Sequence, residues 1–506
     1  MFIRQKKNKS GSTSVQLISK HRGKYRVEKT IGSSSSADGI EALMHQGRHE
    51  LSALSGQGGL FVSKEDTDIE VFLKNLSNSN VQVIGPELVF GKIYDSLGFN
   101  AIKEELFRHL VIARLAFPLS KLKTIDYLYR FQAVQINVNS IYRFLDKLNE
   151  QLSEQVQQIA YNHTLDLLKG KISIVFYDMT TLYFEASDED DLRKMGFSKD
   201  GKHQNPQIYL GLLVTIGGYA IGYDVFEGNI FEAHTFIPFI EKMARKFNLS
   251  KPVVVADAGL LSNSNIEALE RQQYEYIIGA RLKSESTAIK NQILSASFKD
   301  GEILTIQKDK YKLIVAYKAN RAANDAHNRK RGLQRLEKQI KRGKLTKAQI
   351  NNKGYNKYLK MTGDVTIDID YEKYHEDARW DGLKGYITNS QLQPRVIIEN
   401  YSHLWQIEKA FRMSKTDLRI RPIYHRLARR IEAHICISFT AYAIYKELER
   451  IIHKEKAPLS LKQAAEQTQN MYQISVILPS SKENKNILLK MTEPQKILMK
   501  LIAKYY

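Results

Sequence analysis

Ile172-Ser-Ile-Val-Phe-Tyr-Asp178 is the run that decides the fold. From about Gly85 to Lys169 apolar residues recur three and four positions apart, the spacing of helices. At Lys171 the pattern changes to a short, strongly apolar strand. A loop over 185–204, rich in Lys, Asp and Gly, leads to strands Ile208–Thr215 and Tyr219–Phe226. Gly217-Gly218 lies between them, a dipeptide suited to a tight hairpin turn. A helix is expected over Ala233–Phe247, then strand Val253–Ala256 within Pro252-Val-Val-Val-Ala-Asp257, then strand Tyr276–Ala280. Strand, hairpin, helix, strand is an α/β arrangement in which an antiparallel ribbon precedes a parallel crossover. Asp178 and Asp257 each read as closing an apolar strand, the end at which such sheets gather reactive groups.

Upstream, Ser14–Lys20 and Lys24–Ile31 read as strands joined by His21-Arg22-Gly23, with Gly32-Ser-Ser-Ser-Ser36 ending the unit as a linker. Residues 38–75 read as a helix followed by a loop. Thr124–Phe131 and Asn139–Leu148, around a polar break, have the trace of a helix-turn-helix, as do any two adjacent helices. Downstream, 282–380 interrupts the α/β unit with strand-like pieces Ile303–Gln307, Tyr311–Tyr317 and Val365–Ile369. Between Arg329 and Lys360 the only acid is Glu337, which suits either a solvated helix pair or a face for a phosphate backbone. Tyr386-Ile-Thr388 returns as a strand, a helix carrying Glu408 follows, and the tail after Ile451 reads as polar helix.

At 506 residues the chain is too long for one core, and about two to four domains are expected. Hydrophobic content of 43% beside 26% charged residues belongs to a folded protein. A formal charge of +21 favours a polyanionic partner, although ribosomal or membrane-surface binding, or solubility alone, gives the same figure. The single cysteine, Cys436 in Ile435-Cys-Ile-Ser-Phe439, excludes a disulfide framework and a cysteine zinc site, and suits a buried thiol. No run reaches the roughly eighteen apolar residues of a membrane span. Met1-Phe-Ile-Arg-Gln-Lys-Lys7 has no following apolar core, so a cytoplasmic protein is expected.

The chemistry centres on Tyr401-Ser-His-Leu-Trp-Gln-Ile-Glu408-Lys-Ala-Phe-Arg412-Met-Ser-Lys415. On one continuous helix Tyr401, Trp405, Glu408, Arg412 and Lys415 share a face. That face pairs a hard oxygen ligand with cations able to hold phosphates. Together with Asp178 and Asp257 it makes three separated carboxylates, the minimum that can bridge two divalent ions and ligate each. Taken singly, each has a plainer role. Asp178 before Met-Thr-Thr and Asp257 before Ala-Gly-Leu suit turns or caps, and Glu408 suits a surface pair with Arg412. Their joint occurrence in a basic chain favours metal-dependent chemistry on DNA.

These residues resemble a DDE-class insertion-sequence transposase of the group with a Tyr-x2-Arg-x3-Glu-x6-Lys signature. They also resemble the Trp-containing subgroup of the insertion-sequence-four superfamily. Tyr401, Glu408 and Lys415 match at that spacing, Trp405 precedes the glutamate, and Leu404 stands where the signature has Arg. Arg412, one turn past Glu408, is a candidate to restore that charge. Further matching pieces are Tyr177-Asp178-Met-Thr-Thr, Phe197-Ser-Lys-Asp-Gly, Phe226-Glu-Gly-Asn229, Ala256-Asp257-Ala-Gly and Leu418-Arg-Ile-Arg-Pro-Ile-Tyr424.

The resemblance implies an α/β, ribonuclease-H-like catalytic core interrupted by a β-rich insertion, with helical N-terminal and C-terminal regions. It implies a partition into an N-terminal β-hairpin region (1–80), a helical candidate DNA-binding domain (81–170) and the first part of the core (171–281). The insertion (282–380), the second part of the core with the glutamate helix (381–450) and a C-terminal helical region (451–506) complete it. Asp178, Asp257 and Glu408 would bind the catalytic Mg²⁺ pair, with Mn²⁺ as a substitute. Tyr401 and Lys415, with Arg412, Arg419 and Arg421, would contact DNA. Trp380 is a candidate for stacking on a flipped base, against the plainer role of core packing. The implied enzyme is bacterial and cytoplasmic, nucleoid-associated when bound to DNA. It acts as a homodimer on transposon terminal inverted repeats and target DNA. The rivals are a nuclease of the same fold without strand transfer, and an inactive DNA-binding relative.

Lys199, Lys202 and His203 form a second, weaker set beside Asp178 that suits either DNA contact or a solvated loop. His434, between apolar residues, reads as a core histidine.

Overall fold

The computed structural model of the chain describes all residues except 22, 56–68, 72, 75–76, 78–79, 199–200, 261, 344, 346–349, 352–353, 363–365, 479–480 and 482. Lys199 of the weaker set and Val365 of an expected strand therefore lie outside the described residues. Two compact units result: Met1–Gln82 with Gln473–Leu489, and Val83–Tyr472 with Lys490–Tyr506.

In the first unit β1 (Phe2–Lys7), β2 (Thr13–His21) and β3 (Lys24–Ser34) form an antiparallel sheet, followed by α1 (Ala37–Ser55). Val15, Leu17 and Ile18 of β2 are its buried anchors. The expected linker is partly strand, because Ser33 pairs with Ser14 and their hydroxyls lie 2.7 Å apart. A second small sheet joins β4 (Val81–Val83), β15 (Tyr472–Ile477) and β16 (Asn484–Leu488). These last two strands correct the expected all-helical tail. Tyr472-Gln-Ile-Ser-Val-Ile477 alternates with the period of two that a paired strand needs.

The second unit opens with helices α2 (Lys92–Ser96), α3 (Glu105–Ala116), α4 (Lys121–Gln132), α5 (Val138–Lys147) and α6 (Ser153–Leu167). The Ser120 hydroxyl caps α4 by accepting from the Lys123 N–H at 3.4 Å, and Asn137 caps α5 by accepting from the Asn139 N–H at 2.8 Å. These caps set the ends of the two helices expected from the sequence.

The central sheet comprises β5 (Ile174–Tyr183), β6 (Gln207–Thr215), β7 (Ala220–Glu227), β8 (Val253–Ala256), β9 (Tyr276–Ala280), β10 (Ile303–Gln307), β11 (Lys312–Tyr317) and, beyond the separate pair β12 (Leu359–Thr362) and β13 (Thr366–Ile369), β14 (Leu383–Thr388). Its order is β10-β11-β14-β9-β8-β5-β6-β7, parallel at β5–β8 and β8–β9 and antiparallel elsewhere. The β6–β7 turn has Gly217 and Gly218 at φ +88° and +79°, the left-handed pair the hairpin requires.

Both faces of the sheet are covered, so its strands are apolar throughout. Phe176, Val255, Ile277 and Ile314 enter one core with α3, α5 and α14 (Ala428–Lys454). Val175, Val254, Ile278 and Leu313 enter the other, with α7 (Glu232–Phe247) and α8 (Asn263–Arg271). Helix α14 is buried on nearly all sides, including Ile435, Cys436 and Ile437, and burial pushes the Cys436 thiol up to about 12. His434 is a core histidine as expected, its ring nitrogen 2.9 Å from the Ile420 carbonyl oxygen.

Residues 282–380 differ from the expected β-rich insertion. Strands β10 and β11 join the central sheet through β14. Helices α9 (Thr287–Ser295), α10 (Ala319–Lys341) and α11 (Tyr371–Ala378) hold more of the described residues than the strands do. The Ala-, Arg- and Lys-rich composition of α10 favours a solvated helix over a strand. The segment that follows supplies α12 (Pro394–Ser402) and α13 (Trp405–Arg412); α15 (Leu461–Thr468) and α16 (Glu493–Tyr505) lie nearer the chain end.

Candidate functional site

Asp178 does not close its strand. Strand β5 continues to Tyr183 because β6 keeps pairing with it as far as Tyr183↔Gln207, whereas its parallel partner β8 stops at Ala256. Tyr177↔Ala256 is the last parallel pair, so Asp178 and Asp257 are the next residues on neighbouring strands. The sheet register thus brings together two acids remote in sequence. Tyr177 and Ala256 face one core, so alternation turns Asp178 to the opposite face, the face on which Ile407, Ala410 and Phe411 seat α13.

The helix around Glu408 is also broken. Tyr401 lies in the last turn of α12, and between α12 and α13 the bonds tighten, with the Leu404 N–H donating to the Tyr401 carbonyl at 3.0 Å. Leu404, which stands where the signature has Arg, is buried in the core. Tyr401 is therefore not on the shared face. It is buried, while Trp405, Glu408 and Arg412 form the exposed stripe of α13. Lys415 lies in the wider turn Met413–Asp417, and Arg419 and Arg421 lie beyond it, off the helix.

Tyr401 reaches the acids by another route. Its hydroxyl donates to Asp257 Oδ1 at 3.3 Å, and its ring sits 4.5 Å from Lys384 Nζ and edge-on to Tyr386 at 4.9 Å. Burial, followed by the Asp257 carboxylate, pushes the Tyr401 hydroxyl upward, so it remains a donor at neutral pH. Lys384 is held below the ordinary lysine value by burial and by Arg321, while Asp257 and Glu408 pull it back up. One ammonium thus senses both Asp257 and Glu408. The aspartates each accept from the following backbone N–H, Met179 to Asp178 at 2.8 Å and Ala258 to Asp257 at 2.7 Å. Among the described residues no group of three or more His, Cys, Asp or Glu side chains stands at metal-ligand spacing.

Beside Asp257 opens a cavity of about 610 Å³ whose walls include Arg281, Lys283, Arg321, Trp380, Lys384 and Tyr401. Arg281 is fixed by donating to the Ala258 carbonyl at 2.9 Å. Trp380 is half-buried, packed against the core while lining this cavity. Sequence reasoning missed Arg281, Arg321 and Lys384. The available signal was a lysine inside the apolar strand Leu-Lys-Gly-Tyr-Ile-Thr and an arginine directly after β9.

Gly279 is the close-approach point under this site. A Cβ there would lie 2.5 Å from Tyr401 Oη and 3.1 Å from the Ala258 nitrogen. Gly279→Ala should push the hydroxyl off Asp257 and lower stability by about 1–3 kcal/mol. Adding Tyr401→Phe should recover part of that loss, which a double-mutant cycle of unfolding free energies measures.

Residues 169–444, more than half of the chain, match the family described as Transposase DDE domain. The chain belongs to that family of DNA transposases, enzymes that cut and join DNA. No curated protein matches it. Among solved structures, a piggyBac transposase synaptic complex with hairpin DNA is similar at 8% identity and TM-score 0.38, over 79% of this chain and 69% of that one. A Mos1 transposase paired-end complex with left transposon end is similar at 11% identity and TM-score 0.16, over 35% of this chain and 56% of that one. Overlap this slight fixes neither fold nor mechanism. No helix among the described residues is long and apolar enough to cross a membrane.

Proposed function

We propose that the protein cleaves transposon ends and joins the freed 3′-hydroxyl to target DNA, using Asp178, Asp257 and Glu408 to hold two Mg²⁺ ions. The observation that carries this is the register of β5 and β8, which sets Asp178 next to Asp257, while Lys384 feels the charge of both Asp257 and Glu408. The donor set fits the ions. All three groups are hard carboxylate oxygens, and Asp257 and Glu408 are exposed. Such ions, when bound, activate the attacking oxygen and stabilise the leaving one.

The chain's own residues do the rest. Tyr401 orients Asp257 through its hydroxyl, and Lys384 and Arg321 supply positive charge beside the carboxylates. In the proposed scheme Lys384 takes the electrostatic role of the signature arginine, since Leu404 is committed to the core. Arg412, Lys415, Arg419 and Arg421 continue the cationic track for the DNA backbone. The fuller scheme has a ribonuclease-H-like core from 171–281 and 381–450, the 282–380 insertion, and DNA recognition by 81–170. It also includes a homodimer on the terminal repeats and membership of the Trp-containing signature subgroup.

Supplying a pre-cleaved transposon end tests the reaction class. Insertion of that end into a target plasmid is expected. Cutting without insertion would replace the transposase by a plain nuclease. Short inverted repeats flanked by direct duplications around the coding region would identify the ends.

A further inference from the structure

A second cavity, of about 630 Å³, lies among α3, α4 and the chain after α13, with Arg114, Lys121, Arg419, Arg421 and His425 in its wall and no Asp or Glu there. Arg114 and Lys121 are only 5% and 7% exposed. Burying a cation is unfavourable unless something compensates it. Arg114 donates to the carbonyls of Leu418 and Arg419 at 3.5 and 3.3 Å. Lys121 has no hydrogen-bond or ion-pair partner among the described residues. Lys121 lines the cavity, and its charge reaches His425 and His434, both also in the wall. His425 is pushed down to about 4 by burial and then by Lys121, Arg430 and Arg114, as a wall at positive potential requires.

Backbone adds to this. Lys121 is the first residue of α4, a helix of 12 residues, and Ser120, Lys121 and Leu122 all line the cavity. The Ser120 hydroxyl takes the Lys123 N–H, which leaves the Lys121 and Leu122 N–H groups without an intrahelical acceptor, and the helix dipole favours an anion there. A buried unpaired lysine, a buried arginine and a helix N-terminus therefore converge on one space.

We infer that this cavity seats a backbone phosphate of duplex DNA, held by Lys121, Arg114 and the N-terminus of α4. The inference deepens the transposase reading and rests on it. The wall also places the cavity relative to Asp178. The Arg421 guanidinium lies 5.4 Å from the Tyr183 ring, and Ile423 bridges to Phe184, so the cavity flanks the far end of β5. Tyr183 is five residues past Asp178 on that strand, roughly 17 Å at about 3.3 Å per residue.

Lys121→Met keeps side-chain length and removes the charge. The variant should melt at a higher temperature than the parent, because it relieves an uncompensated buried cation. Its affinity for a mixed-sequence duplex should fall several-fold, and the slope of log affinity against log salt should shrink by about 0.9, one phosphate contact. Arg419→Ala, at the exposed rim, gives a second slope measurement should the buried change disturb folding. Equal slopes for parent and both variants overturn the inference while leaving the transposase reading intact. If inorganic phosphate raises the melting temperature of the parent but not of Lys121→Met, with duplex slopes unchanged, the cavity takes free phosphate and the DNA assignment falls. A parent that binds no duplex at all removes the transposase reading and this inference together.

Discussion

Asp178→Asn is expected to leave the protein folded and bound to DNA but to lower cleavage by on the order of a thousandfold or more. Asparagine keeps the shape of the side chain and an oxygen acceptor for the Met179 N–H, so β5 and its pairing are unaffected. What is lost is the negative charge and one hard oxygen ligand at the point where β5 outlasts β8. Glu408→Gln should behave alike, since Glu408 lies on the exposed stripe of α13 and its removal opens no cavity. Gel assays of end cleavage beside filter binding of the same DNA separate the two effects. Either variant cutting at the parental rate would end the carboxylate mechanism. Chelation of divalent ions should reproduce both variants in the parent.

The second large effect falls on stability. Glu447 is 2% exposed and accepts from Arg450 at 2.7 and 2.6 Å and from the Tyr506 hydroxyl at 2.6 Å. Glu447→Ala leaves the Arg450 guanidinium without its partner and should cost about 3–5 kcal/mol. The unfolding midpoint in denaturant reads this directly, and a loss below about 1 kcal/mol would show that the pair contributes nothing beyond a surface bridge. The same group predicts an acid limb. Burial raises its pKa, but Arg450, His163 and Tyr506 outweigh that and hold it down to about 2, from an ordinary 4.5. A depressed folded value means the unfolded chain binds the proton first. The contribution is therefore complete above about pH 4.5 and lost as pH falls toward 2. Glu447→Ala should flatten that part of the stability profile.

Much of this was legible in the linear chain because it is local. Strands β8, β9 and β10 begin and end where their apolar runs do, and Gly217-Gly218 announces its hairpin through the one conformation that glycine enters freely. Where the reading failed, a distant partner decided. Strand β5 passes through Asp178 because β6, contributed by later residues, continues to pair. Strands β15 and β16 exist because each has the other to pair with.

The candidate site divides along the same line. Sequence by itself determined the chemical types: three carboxylates in a strongly basic chain, set in motifs that already marked the family. Tertiary structure alone decided their company. It placed Lys384, Arg321 and Arg281 around Asp257, moved Tyr401 from the shared helical face to the Asp257 carboxylate, and buried Lys121 beside Arg114. The physical reason is range. Side-chain chemistry and period are written residue by residue, whereas register between strands and the field at a buried charge depend on groups hundreds of positions away.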